Sequence, residues 1–168
     1  MWQMISDFSK WLMTTQLSHN MAGGWKWGWA TCETLHFIGL ALLIGSIGVL
    51  DLRMLGYAKH IPPAAVHKMV PYGVAGFVIN LITGSLFVIG APFQYIQNIA
   101  FLFKMLFIAI AGFNILFFYF GGVFKKIEAM GPDDEPPTSA KVVSWVSIIA
   151  WFGVMYWGRM LPFVGNAF

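Results

Sequence analysis

The sequence predicts an all-α protein, a four-helix transmembrane bundle with an N-terminal amphipathic helix lying at the membrane surface. Two observations predict it. The 168 residues are 58% hydrophobic and only 10% charged, whereas about a quarter of a soluble domain is charged. Most of the surface must therefore face something other than water. Four apolar runs, at about 29–50, 72–91, 99–121 and 142–161, also match the ~20 residues that cross a ~30 Å hydrocarbon core. They fill the length, so residues 1–168 form a single integral membrane domain.

The first nineteen residues place Trp2, Ile5, Phe8 and Leu12, with Met4 and Trp11 more loosely, on one side of a helical wheel. Asp7, Ser9, Lys10 and Gln16 occupy much of the rest. The segment is too polar to span and reads as an interfacial helix or, on the same pattern, a partner-binding one. Met21-Ala22-Gly23-Gly24 breaks it, and Trp25, Trp27 and Trp29 follow as an aromatic belt. The late first apolar run, without a basic leader or small-x-small cleavage site, reads as retained in the mature protein.

The first span is expected to end at Asp51-Leu52-Arg53, where those two charges contact phosphate groups or each other. Pro63 can open a short helix and Pro71 can kink or restart it. Span two carries Gly73, Gly76 and Gly84, which permit close helix approach, and Asn80 near its middle. Gly90-Ala91-Pro92 closes it. Span three carries Lys104 and Asn114. Residues 122–141, with two proline clusters and Asp133-Asp134-Glu135, read as a mobile polar loop. Thr138 or Ser139 is positioned to cap the last helix, which Trp145, Trp151 and Trp157 surround.

Orientation follows from the cations. Arg53, Lys59, Lys68, Lys125, Lys126 and Lys141 flank one side, against Lys10, Lys26, Arg159 and the nearby Lys104 on the other. That balance predicts both termini on the side of the membrane away from the cytoplasm. The net charge of +3 is scattered beside the spans and forms no stripe, so the partner it implies is the lipid bilayer and not a nucleic acid. The single cysteine, Cys32, excludes an internal disulfide and a Cys-only metal site.

The chemistry-bearing residues gather in the outer half. Ionisable groups inside a membrane are costly and usually face a bundle interior or a ligand. Cys32, Glu33 and His36 share a face of span one, with Gly39 below as a gap where a flat ligand could approach the backbone. Thr83, Lys104, Met105 and Met155 lie at similar depth on the other spans. Three readings of His36 compete. It is an axial haem b ligand, with Met105, Met155 or another subunit's histidine opposite. It is a copper ligand with Cys32 and methionines. Or it is structural, hydrogen-bonded to Glu33 or a hydroxyl. Hydrogen bonding to a quinone is a variant of the first.

Lys104 either extends to the headgroups or pairs with Glu33, a propionate or a quinone oxygen. Asn80 and Asn114 read as interhelical links. His60 and His67 read as solvated, with a weak metal or haem site at His67 as the alternative. G-x-S-x-G, H-E-x-x-H, Walker and C-x-x-C-H patterns are absent from the sequence, so catalysis by this chain alone is not expected.

His36, the Gly45-Ser46 to Leu50-Asp51-Leu52-Arg53 exit, Leu55-Gly56, Pro71, Thr83-Gly84, Asn98 to Phe101 to Lys104, and Asn114 form a recognisable set. It resembles a family of short bacterial inner-membrane proteins grouped by a domain of unknown function. That family is loosely similar to four-helix b-type cytochromes and copper-resistance D-type proteins. Members often carry a histidine after the span-three asparagine. Phe117-Phe118-Tyr119 stands there instead, so the resemblance does not imply a bis-histidine haem site. The leading expectation is a membrane subunit of a redox system, binding haem b or quinone. It would work beside other membrane subunits or in a homo-oligomer. A cofactor-free anchoring subunit and a copper-handling protein are the alternatives.

Overall fold

The computed structural model describes residues 2–164, and of Trp2 only the backbone. The fold is all-α, with no strand among the described residues. Four long helices dominate: α3 (Gly28–Met54), α5 (Val70–Gly90), α7 (Ile99–Phe120) and α9 (Thr138–Met160). Each is long and apolar enough to cross a membrane, with mean hydropathy between 1.4 and 2.2. The chain is a multi-pass membrane protein. Short helices decorate the two ends. At one end lie α1 (Trp2–Met13), α2 (Gln16–His19), a π-turn (Asn20–Gly24) and α6 (Pro92–Ile96). At the other lie α4 (Pro63–His67) and α8 (Val123–Glu128).

The seams run α5, α3, α9, α7. Small residues set the first seam. A Cβ at Gly76 would lie 2.5 Å from the Gly39 carbonyl oxygen, and one at Gly39 would lie 2.9 Å from that of Gly76. Only two facing glycines let the backbones approach this closely. Across the last seam the Phe107 ring lies on Gly153, where a Cβ would meet it at 2.5 Å. Asn114 Nδ2 donates to the Val143 carbonyl at 2.9 Å. Two apolar clusters fill the interior. One centres on Leu43, Ala111, Ala150, Trp151 and Val154, the other on Leu50, Met54, Phe118, Val123, Ile127 and Val143.

Several expectations need correction. The helix of span one runs on past Asp51, to Met54. Its 27 residues reach about 40 Å at 1.5 Å per residue, so the final turn rises past the ~30 Å core, where charge is tolerated. Asp51 and Arg53 are only 3% and 1% exposed and do not meet. Asp51 accepts a 2.6 Å hydrogen bond from the Ser147 hydroxyl. Arg53 donates to the carbonyls of Ile61, at 2.6 Å, and Lys59, at 3.1 Å. The guanidinium thus folds the 55–62 loop back over the helix end.

Residues 122–141 are more ordered than their composition suggests. Val123 and Ile127 of α8 are buried in the second core cluster, and Pro136 is buried too. The Asp133 amide donates to the Lys59 carbonyl at 2.9 Å, while Lys59 and Lys141 both pair with Glu135. Neither Thr138 nor Ser139 caps α9. Pro137 occupies the N-cap without a side-chain bond, consistent with its fixed φ, and the Ser139 hydroxyl is buried without a partner.

The N-terminal helix also divides its apolar face. Ile5 and Leu12 are half-buried and Ser9 is buried, whereas Met4, Phe8 and Trp11 are exposed. The 5–9–12 stripe has helical spacing and lies on the side turned to the protein, where α1 contacts α5 and α6. Trp2, expected on the apolar face, lies outside the described side chains. The helix ends at Thr14-Thr15, and the π-turn closes at Gly23 with φ +139°, a conformation open to glycine.

Candidate functional site

His36 sits on the interior side of α3. Leu43, two turns along the same face, is part of the central apolar cluster. Its Nδ1 lies 2.7 Å from Thr83 Oγ1 on α5. Thr83 also lies 2.7 Å from the Ile79 carbonyl, four residues back, and a carbonyl can only accept. The single hydroxyl proton therefore goes to Ile79, and the ring must donate through Nδ1–H. The network assigns the Nδ1–H tautomer, which leaves Nε2 with its lone pair. A partner that fixes one ring nitrogen and exposes the other is how proteins prepare a histidine for ligation or hydrogen-bond acceptance.

Small and aromatic residues surround the imidazole. Gly84, one residue after Thr83, would place a Cβ 3.7 Å from the His36 ring. Phe87 meets the imidazole edge-on at 5.5 Å, touches Trp29 at 4.9 Å and stacks on Tyr95 of α6 at 6.4 Å. Burial first, then the nearby Glu33 carboxylate and Cys32, push the Tyr95 phenol up to about 12, so it stays a neutral donor. Cys32 donates its thiol to the Thr83 carbonyl at 3.4 Å. Thr83 is thus the hub that gathers Cys32 and His36.

Lys104 of α7 is half-buried, and its ammonium lies over Gly158 of α9. It stands within electrostatic reach of the His36 ring. Among the described residues no carboxylate pairs with it. The expected Glu33–Lys104 pair does not form, because Glu33 is exposed and gains more from solvent or headgroups than from a buried partner.

Other expected residues fall elsewhere. Gly39 is no gap for a ligand, since the backbone of Gly76 and the side chains of Ile79 and Asn80 fill the space beside it. Met105 is 46% exposed. Met155 lines a different groove, together with Gly48 and Asp51. His67 hydrogen-bonds to Tyr119 at 3.0 Å and packs on Phe124. No group of three His, Cys, Asp or Glu stands together among the described residues.

Phe87 and Tyr95 escaped the sequence, and Asn80 was expected to link two helices. Asn80 donates to Gly76 of its own helix at 3.1 Å and leaves its Oδ1 buried without a partner. The 80–83–87 spacing, which places an amide, a hydroxyl and an aromatic on one helical stripe, was the available signal. Tyr95 had none, because its position depends on how α6 folds back.

Fold and site together define a helical, multi-pass membrane protein with a polar cluster inside its bundle. Comparisons with family models, curated proteins and solved structures give no match for this chain.

Proposed function

We propose that this protein is a membrane subunit of a redox system, and that His36 and Lys104 hold the polar head of a lipid-soluble quinone. The observation that carries the reading is the pairing of two unsatisfied groups. His36 keeps Nε2 free while Thr83 takes Nδ1, and Lys104 lies within electrostatic reach with no anion among the described residues. A membrane ammonium without a partner calls for an acceptor. A quinone oxygen supplies one to Lys104, and the reduced form supplies a hydroxyl to His36. The Trp29–Phe87–Tyr95 aromatics suit a flat ring, and Asn80 Oδ1 offers a further acceptor. A bound quinone would supply two-electron carrier chemistry; the side chains bind, orient and keep water away.

Haem b is the second reading, favoured by the same free Nε2. It fares less well, because Met105 faces outward and Met155 lines another groove. Copper binding would draw on Cys32, whose thiol is directed to a carbonyl. The resemblance to bacterial inner-membrane proteins, together with the cation balance, supports a bacterial inner membrane with both termini periplasmic. The exposed Met4, Phe8 and Trp11 of α1 support contact with lipid or another membrane subunit, and this face also carries the cofactor-free anchor reading.

The test is purification in mild detergent, with a visible spectrum and organic extraction of the same sample. Retained quinone, lost in both His36→Leu and Lys104→Met at unchanged melting temperature, is the expected result. A Soret band lost in His36→Leu would establish haem instead. Neither chromophore nor quinone would leave only the anchor.

A further inference from the structure

The glycines of α3 fall into two groups. Gly39 is closed against α5, whereas a Cβ at Gly48 would meet nothing within 4 Å. Gly48 has no positive φ, so neither backbone nor helix packing requires glycine there, although glycine in a helix interior is unfavourable beside alanine. It lines a half-open groove of about 230 Å³ between α3 and α9, walled by Ile44, Ile148, Trp151, Phe152 and Met155. Asp51 stands at the end nearest the basic loops. Its Oδ2 accepts from Ser147. Oδ1 has no hydrogen-bond partner and the carboxylate no cation among the described residues.

We propose that this groove binds one acyl chain of an aminophospholipid whose primary ammonium pairs with Asp51. From Ile44 to Leu52 the groove runs about 12 Å along the helix axis, the direction in which acyl chains lie. The carboxylate sits one turn from the end of a spanning helix, at headgroup depth. Charge complementarity selects the occupant. A carboxylate with a free oxygen favours an N–H donor carrying positive charge, which a choline headgroup cannot offer and a glycerol headgroup lacks. Lys68, exposed at the same end of the bundle, suits the lipid phosphate.

The test is native mass spectrometry of delipidated protein given equimolar phosphatidylethanolamine, phosphatidylcholine and phosphatidylglycerol with identical acyl chains. The wild type should retain one phosphatidylethanolamine about tenfold over the others, a ratio set by one charge-assisted contact. Asp51→Asn, which can still accept from Ser147, should keep a lipid but lose the preference. Gly48→Leu should lose the lipid at an unchanged or higher melting temperature. Equal retention of the three lipids by the wild type, or an unchanged preference in Asp51→Asn, would overturn the proposal. So would recovery of a quinol from the groove, or a dimer that Gly48→Leu dissociates.

Discussion

The two ends of α3 put buried polarity to different uses. At the loop-rich end, Arg53 directs two of its nitrogens to the Lys59 and Ile61 carbonyls, and Asp51 accepts from Ser147. These are structural bonds that close a loop and tie α3 to α9. At the other end, His36 commits one nitrogen to Thr83 and keeps the second, within electrostatic reach of a lysine without an anion. The difference teaches where chemistry can occur. A side chain that bonds across the fold stabilises it, and an atom it leaves unpaired, Asp51 Oδ1 at one end or His36 Nε2 at the other, is open to a ligand.

The largest effect should come from the seam on which both ends depend. Gly76→Val inserts a branched side chain where even a Cβ would lie 2.5 Å from the Gly39 oxygen and 2.7 Å from the Leu43 nitrogen. Overpacking of this kind costs about 3 kcal/mol. Unfolding in mixed detergent should register it, and a wild-type midpoint would contradict the close α3–α5 approach.

Arg53→Met comes next. It strips the Ile61 carbonyl of its donor and leaves the Lys59 carbonyl only the Asp133 amide, at about 2 kcal/mol for charge-assisted bonds, and limited proteolysis should open residues 55–62 first. Uniform cleavage along the chain would argue against a local clasp. Thr83→Val should destabilise by about 1 kcal/mol, because His36 Nδ1 loses its acceptor, and Thr83→Ser should restore it. If valine and serine behave alike, the His36–Thr83 bond does not stabilise the fold. Asn114→Leu should cost about 0.6 kcal/mol, as interhelical polar links in membranes do, and should leave quinone retention untouched.

The smallest effect concerns the surface latch. Hydrogen bonding and charge from Lys59 hold the Glu135 carboxyl below its ordinary 4.5. A depressed carboxyl stabilises the fold above its ordinary value, and that contribution disappears as pH falls through the lowered one. Salt should weaken it at neutral pH, since the pair is exposed. Hydrogen exchange of residues 131–137 in acid and at neutral pH, compared with Glu135→Gln, checks the sign.

The four spans and their up-and-down order were legible in the residues, because a hydrocarbon solvent permits few solutions: about twenty apolar residues must become a helix. His36, Cys32 and Thr83 were legible too, as polar atoms at one depth with helical spacing. Which of them meet was not. Glu33 and Lys104 share a depth but face different surroundings, and Gly39 and Gly48 are identical in sequence while one is closed by a neighbouring backbone and the other lies open. Depth along the membrane follows from position in the chain. Rotation about each helix axis depends on how its neighbours pack, and only the tertiary structure sets it.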